Sequence, residues 1–155
     1  MPRSLREAPL RKALAAIPAD GWTELRDAVA ALRADPAPYT HVPATRGEPT
    51  VVDGVEREVI ISGYTTYSPS VNHALELFGS FGLMLPFDWP VWAAKHRPRL
   101  TPEALRSGRV GDAVRIVIAI VRGDRFGEGV ISSQIDNGVL LAAFERIAQR
   151  NERDR

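Results

Sequence analysis

Apolar residues recur with helical spacing at both ends of the chain, and this pattern predicts most of its elements. Near the start, two runs follow the i, i+3, i+4, i+7 rule of an amphipathic helix, one over residues 10–17 and one over residues 25–32. Pro18 and Gly21 interrupt the pattern between them. Residues 1–33 therefore predict an N-terminal helical hairpin.

The helical periodicity is lost over residues 34–49, which contain four prolines. We predict a long proline-rich loop there, for which a functional lid and a disordered segment are equally open interpretations. Directly after it, Asp53-Gly54 lies between β-branched residues and indicates a type I′ turn with a returning strand over residues 55–62. Because an isolated hairpin is marginally stable in water, we expect it to lie on the helices or to pair with another strand.

Helices are predicted for most of the remaining chain. Ser68-Pro69 and Thr101-Pro102 each combine a capping hydroxyl with a proline in the first turn, and Asp88 is placed to cap a helix that begins beside it. A closing helix is expected over residues 140–147 from its apolar spacing.

Residues 110–121 form the most apolar run, and they are apolar almost all round a helix, which is typical of an element buried on several sides. Arg115 inside this run needs a partner or a route to solvent. We predict an α+β fold: one mostly α-helical domain over residues 1–155, with one small β-hairpin packed on a buried central helix. Residues 50–155 supply the hairpin and the helical core.

Composition narrows the function classes. The chain has 155 residues, a formal net charge of +1 and no cysteine, so disulfides, thiolate metal sites and cysteine nucleophiles are excluded. No run approaches the roughly 18 apolar residues of a membrane span. The first residues also lack the pattern of a signal peptide. We expect a cytoplasmic protein that is not associated with a membrane.

Residues 122–129 place four charged residues, three glycines and one aromatic directly after the predicted central helix. In a structural interpretation, Gly123 ends that helix in a left-handed conformation, Asp124 caps the next helix, and Phe126 anchors it to the core. Gly127 and Gly129 are unfavourable inside a helix by about 1 kcal/mol each, which suggests a close approach by a neighbour or a ligand.

A functional interpretation of the same segment stays open beside the structural one. Carboxylates there are candidates for acid/base catalysis, together with the one between the aromatics of residues 87–92. These catalytic candidates are Asp88, Asp124 and Glu128. Guanidinium groups and indole rings are candidates for ligand binding through an anion clamp or a stacking pocket. These ligand-binding candidates are Trp89, Trp92, Arg122 and Arg125.

Two motifs, Phe-Asp-Trp-x-x-Trp at residues 87–92 and Arg-x-Asp-Arg-Phe-x-Glu-Gly at residues 122–129, resemble those of an uncharacterised bacterial family, a domain of unknown function. Gly138 and the leucines and arginine after it match the end of the pattern. The resemblance covers about residues 67–147 and leaves the N-terminal third outside. Gly127 stands where many members of that family have a cysteine. The resemblance implies a shared fold and no particular activity.

Other catalytic signatures are missing from the sequence. The histidines lack the i, i+3 or i+4 spacing of a helix-borne metal site, and there is no nucleophile elbow, phosphate loop or dinucleotide fingerprint. We therefore predict no metal or cofactor.

Three hypotheses remain at this point. A non-enzymatic binding or regulatory module with a protein or small-molecule partner leads, and homo-oligomerisation is left open. A small enzyme with hydrolase-like acid/base chemistry on a polar or anionic ligand follows. A nucleic-acid-binding protein comes third, through the basic residues Lys95, His96, Arg97 and Arg99 and the terminal arginines.

Overall fold

The computed structural model describes residues 6–150, and helices dominate this part of the chain. The α-helices are α1 (Glu7–Ala15), α2 (Ala19–Ala34), α3 (Pro69–Ser80), α4 (Trp89–His96), α5 (Pro102–Ser107), α6 (Val110–Asp124), α7 (Val130–Asp136) and α8 (Val139–Ala148), with a 3₁₀ turn at Arg97–Arg99. The strands are β1 (Tyr39–Val42), β2 (Thr45–Arg46), β3 (Thr50–Val52), β4 (Val55–Arg57), β5 (Ile60–Ile61) and β6 (Tyr64–Tyr67). The predicted mostly helical α+β fold is confirmed.

Helix α6 is the central element of the core, as its apolar circumference predicts. It packs against α8, which in turn contacts α2 and α5. Across the core, the rings of Phe78 and Phe144 meet edge to face at a centroid distance of 6.1 Å. Arg115 is buried on α6, and its guanidinium pairs with Glu7 at 2.8 Å and Asp112 at 3.4 Å. The expected partner of this buried arginine is therefore present.

The closing helix α8 carries buried charges as well as apolar residues. Glu145 accepts hydrogen bonds from Arg33 at 3.2 Å and Arg106 at 2.9 Å. Arg146 donates from Nε to the carbonyl oxygen of Gly108 at 2.8 Å. These contacts hold α8 against α2 and α5. Because Arg146 is buried and bonded in this way, it is not one of the terminal arginines available to contact nucleic acid.

Three helices begin at the residues that the sequence predicts. Ser68 accepts from the backbone N–H of Val71 at the start of α3, and Thr101 accepts from that of Ala104 at the start of α5. Asp88 accepts from the Val91 N–H at 3.4 Å at the start of α4. These side chains satisfy donors that the first helical turn leaves without a partner.

All six strands belong to one long antiparallel ribbon. Pairing runs in constant register from Tyr39 opposite Tyr67 to Arg46 opposite Ile60. The outer pair then places Thr50 opposite Arg57, so the first strand carries one extra residue between the two pairs, as in a β-bulge. At the tip, residues 53 and 54 have φ values of +52° and +77°, as a type I′ turn requires.

Residues 34–49 are not the loop that the lost periodicity predicts, because β1 and β2 lie within them. Two prolines stand between strand segments, Pro43 after β1 and Pro49 before β3. A two-stranded ribbon tolerates them because each strand has an edge with no partner to receive a hydrogen bond. The proline-rich composition therefore conceals a strand.

The ribbon is also longer than the small hairpin expected from the sequence, and its outer part does not rest on the helices. We call residues 43–62 the arm. All of its residues are exposed except Gly47 and Val59, which are half-buried.

Candidate functional site

The segment 122–129 joins α6 to α7, and its glycines differ from the prediction. Gly123 is not left-handed, because α6 continues through Asp124. The left-handed residue is Gly129, with φ of +94°, which directly precedes α7. Gly127 has open space where a side chain would begin. The Cβ of a cysteine at position 127, as in the family that the motifs resemble, would therefore meet no neighbour.

Asp124 connects the two helices on either side of the segment. Its Oδ1 accepts a hydrogen bond from the backbone N–H of Ile131, in the first turn of α7, at 3.1 Å. Gly129, at the N-cap position, has no side chain to do this. Asp124 therefore caps α7 from the end of α6, as the structural interpretation predicts.

Phe126 does not anchor the segment to the core. Its side chain is 85% exposed, and its ring stacks on Trp89 at a centroid distance of 6.2 Å and an interplanar angle of 28°. Trp89 also lies over Gly123, where a Cβ would be 3.8 Å from the indole. The two sequence motifs thus touch each other. We call Trp89 and Phe126 the aromatic surface.

Trp92, the other candidate indole, packs on a different set of rings. It meets Phe87 edge to face at 6.0 Å and stacks on His96 at 5.0 Å. The Nδ1 atom of His96 lies 2.9 Å from the Trp92 carbonyl oxygen. Trp92 belongs to the partly buried packing around the core, which separates its role from that of Trp89.

The base of the ribbon lies against the same segment. Glu128 accepts a hydrogen bond from the backbone N–H of Thr65 in β6. The hydroxyl of Tyr67 is buried beside Ser132, without the geometry of a regular hydrogen bond. Burial raises the pKa of Tyr67, and the charge of Asp124 raises it further, while Ser132 opposes both. The balance of these effects favours the protonated form of Tyr67.

Two further contacts hold the ribbon to the helices, and sequence analysis missed both. The Tyr39 hydroxyl donates to the Asp136 carboxylate on α7, 2.8 Å from each oxygen. This bond to a carboxylate raises the pKa of Tyr39, with a smaller contribution from burial. Tyr39 falls within the proline-rich segment, where the absence of periodicity gave no signal for a strand that faces a helix.

The second of these contacts joins the two ends of the ribbon. Ser68 and Ser70 both donate their hydroxyls to Oδ2 of Asp35, and the Ala37 N–H donates to its Oδ1 at 2.9 Å. The two serine bonds, then the backbone bond, lower the pKa of Asp35. We call Asp35, Ser68 and Ser70 the clasp. The start and the end of the ribbon are held at one point.

The three carboxylate candidates are each held by a separate backbone contact. Asp124 and Glu128 both lie at the base of the ribbon, but each accepts a backbone N–H, and no hydrogen bond or ion pair of the described residues links Asp88 to either. Arg125 is exposed and makes no ion pair with residues 6–150, and the Nε of Arg122 is buried without a hydrogen-bond partner. Neither arginine forms an ion pair with Asp124 or Glu128 in the described part of the chain.

Residues 6–150 contain no group of three or more His, Cys, Asp or Glu side chains placed to hold a metal ion. Within the same range, no helix is both long and apolar enough to cross a membrane. The arrangement at the ribbon base can hold a strand against a helix, and its exposed side offers an aromatic ring with an arginine beside it.

A family model of proteins of unknown function, DUF6508, matches residues 17–153. The chain belongs to this family. The match includes α2 and the whole ribbon as well as both motifs, so the expectation that the N-terminal third lies outside the family is wrong. No curated protein and no solved structure matches the chain.

Proposed function

We propose that this member of DUF6508 is a non-enzymatic binding module that associates with a second copy of itself through its arm. The supporting observation is the exposure of five β-branched apolar side chains within the arm. Their exposed fractions lie between 45% and 70%. They are Val51, Val52, Val55, Ile60 and Ile61. Val51 and Val52 are adjacent in one strand and Ile60 and Ile61 in another, so both faces of the arm carry exposed apolar side chains. Exposed apolar surface of this extent in a folded protein typically marks an interaction site.

The backbone of the arm favours the same conclusion. A single two-stranded ribbon is marginally stable in water, and both of its edges carry backbone groups without partners. A second ribbon supplies a matching edge and a matching apolar face. Pairing with a partner therefore stabilises the arm and covers its side chains at the same time.

The charge of the arm is opposite to that of the rest of the chain, which favours contact between the arm and the body of a second copy. The arm has four acidic residues and two arginines, a net charge of −2, so the rest of the chain, with a total of +1, carries +3. Two arms lying antiparallel about a two-fold axis place each tip at the base of the other ribbon. At about 3.3 Å per residue, the arm spans about 30 Å.

The surface that meets the tip in this arrangement is the aromatic surface. Phe126 lies two residues before Glu128, which is bonded to the base of the ribbon at Thr65. Arg125 is exposed next to Phe126 and has no ion-pair partner among residues 6–150, so it complements the acidic tip. One contact, repeated by symmetry, covers both apolar regions.

The alternatives receive less support. Acid/base catalysis needs at least two free carboxylates facing an open pocket, whereas Asp88, Asp124 and Glu128 each accept a backbone hydrogen bond. Nucleic-acid binding through residues 95–99 and the terminal arginines has less support, because Arg146 is buried and bonded to the Gly108 carbonyl oxygen.

Sedimentation equilibrium of the full chain tests the proposal. A variant with Val51→Thr, Val55→Thr, Ile60→Thr and Ile61→Thr keeps β-branched side chains, and so strand propensity, while removing apolar surface. We expect the unmodified chain to sediment at twice the 17.0 kDa of one chain and this variant at 17.0 kDa. Val91→Thr, at an exposed apolar residue of α4, is the matched control and should leave the dimer intact.

Phe126→Ser tests the receiving surface separately. Full burial of a phenylalanine contributes about 1.5–3 kcal/mol, so its loss should raise the dimer dissociation constant by roughly tenfold to a hundredfold. A monomeric unmodified chain at about 100 μM, well above the micromolar constants of specific complexes, would overturn the proposal. A dimer that survives all four threonine substitutions would overturn it as well.

A further inference from the structure

A cleft of about 300 Å³ lies on the helical body, away from the residues of the arm and of the aromatic surface. It separates the 3₁₀ turn and the start of α5 from α7 and the start of α8. Its walls are largely apolar and come from Pro98, Leu100, Pro102 and Val139. Its volume is at the lower end of the range for small-molecule sites.

Gln134 lines this cleft and is only 4% exposed. Hydrogen bonding fixes the orientation of its amide. The backbone N–H of Val139 donates to Asn137 Oδ1 at 3.0 Å, so the other end of that amide, Nδ2, must donate to Gln134 Oε1, at 3.0 Å. The Nε2 donor of Gln134 is then left without a partner among the described residues. This nitrogen is not among the fully buried side-chain atoms that lack a partner, so it keeps some contact with solvent. Since Gln134 lines the cleft, its free N–H can donate to a ligand bound there.

Two further donors line the same cleft. Thr101 accepts from the Ala104 N–H, and its hydroxyl proton is given to no described acceptor. Arg97 is exposed at the 3₁₀ turn and makes no ion pair with the described residues. The lining contains no aspartate or glutamate to neutralise these donors. The cleft therefore combines apolar walls with an excess of donors and one positive charge.

We propose that this cleft binds a small organic carboxylate with an apolar body. The carboxylate oxygens accept from Gln134 Nε2 and the Thr101 hydroxyl and pair with the Arg97 guanidinium, and the hydrocarbon part lies against the prolines and Leu100. This arrangement uses the donors of Gln134, Thr101 and Arg97 together. It is independent of the arm, so it does not rest on the proposed dimer.

Benzoate is the probe, and benzamide is its uncharged counterpart of nearly the same shape. Titrations of the full chain are followed by the NMR signal of the Gln134 side-chain amide and by calorimetry. We expect benzoate to shift that signal saturably and to bind at least about tenfold more tightly than benzamide, as befits hydrogen bonds to a charged group.

Three variants make the test specific. Arg97→Gln should weaken benzoate binding at least about tenfold, whereas Arg99→Gln, in the same turn but outside the cleft lining, should leave it unchanged. Gln134→Glu keeps the oxygen that accepts from Asn137 and replaces the donor with a charge that repels the ligand, so it should abolish binding while the thermal melt confirms a folded chain.

Several results would overturn the assignment. One is a Gln134 amide signal that does not shift at tens of millimolar benzoate, a concentration well above a dissociation constant of about 1 mM, which corresponds to about 4 kcal/mol of binding free energy. Another is equal affinity for benzoate and benzamide. Equal losses in the two arginine variants would reveal unspecific attraction. Binding of inorganic phosphate without binding of benzoate would assign the cleft to a different class of ligand.

Discussion

Replacement of Asp124 separates a capping function from a function that needs its charge. The carboxylate sits at the end of α6 and accepts the N–H of Ile131 in α7 at 3.1 Å. Helix α7 has only seven residues, and its N-cap, Gly129, supplies no side-chain acceptor. Asp124→Ala therefore leaves the first turn of a short helix without its side-chain cap.

The size of the effect follows from this contact. Loss of a side-chain cap lowers the free energy of unfolding by about 1 kcal/mol, within a range of about 0.5–2 kcal/mol. For a chain of this length, that corresponds to a fall in the melting temperature of about 3 °C. Asp124→Asn keeps an oxygen that accepts the same N–H and loses only the favourable charge at the helix start, about 0.3–1 kcal/mol. Since the alanine variant loses the acceptor and the charge together, the asparagine variant should melt between it and the unmodified chain.

Thermal unfolding followed by circular dichroism at pH 7, with urea unfolding as a second measurement, gives both values. Glu76→Ala is the control, since Glu76 is an exposed acidic residue of α3 without a described hydrogen bond or ion pair. If Asp124→Asn destabilises as much as Asp124→Ala, the charge and not the acceptor matters, and the capping argument is wrong. An Asp124→Ala variant with unchanged stability would contradict it equally.

Two more predictions concern the ribbon. The pKa of Asp35 is lowered in the folded chain, so the clasp adds its full stability above the ordinary value of 3.8 and loses it as the pH falls through the lower, folded pKa. Amide exchange at the ribbon base should therefore differ between Asp35→Asn and the unmodified chain at pH 6, and the difference should shrink below pH 3.8. A difference that does not change with pH would contradict this. In Gly63→Ala, the new Cβ would lie 2.7 Å from the Val42 carbonyl oxygen of the facing strand. NMR should therefore show loss of strand pairing on both sides of residue 63, with the signals of α6 unchanged. Intact pairing would contradict the clash.

Local rules were sufficient for the helices. Ser68, Asp88 and Thr101 each start a helix because capping depends on the next three residues, which the sequence displays directly. The apolar circumference of α6 likewise predicts its burial. The partner of Arg115 could not be named, because Glu7 lies 108 residues away and only the packing of α1 brings it near.

The ribbon and the site depended on longer-range contacts. Prolines interrupt the alternating pattern that would indicate β1 and β2 in the sequence. The pairing of Tyr39 with Tyr67 joins residues far apart in the chain, so only the folded structure reveals it. Phe126 was expected in the core because large aromatics bury well, yet it is exposed beside Trp89. Nothing in the local sequence distinguishes a ring that packs inward from one that stays exposed.

The clasp has a consequence for how this family can vary. The hydrogen bond between Asp35 and Ser68 holds the two ends of the ribbon together. The connection between α2 and α3 is therefore closed at the base of the ribbon, independently of the length of the ribbon. The entropic free-energy cost of closing a loop rises only slowly with its length, by about 0.6 kcal/mol for each doubling. The ribbon can therefore be lengthened, trimmed or exchanged for another sequence as a cassette, which makes position 53–54 a natural place to graft a foreign peptide onto this fold.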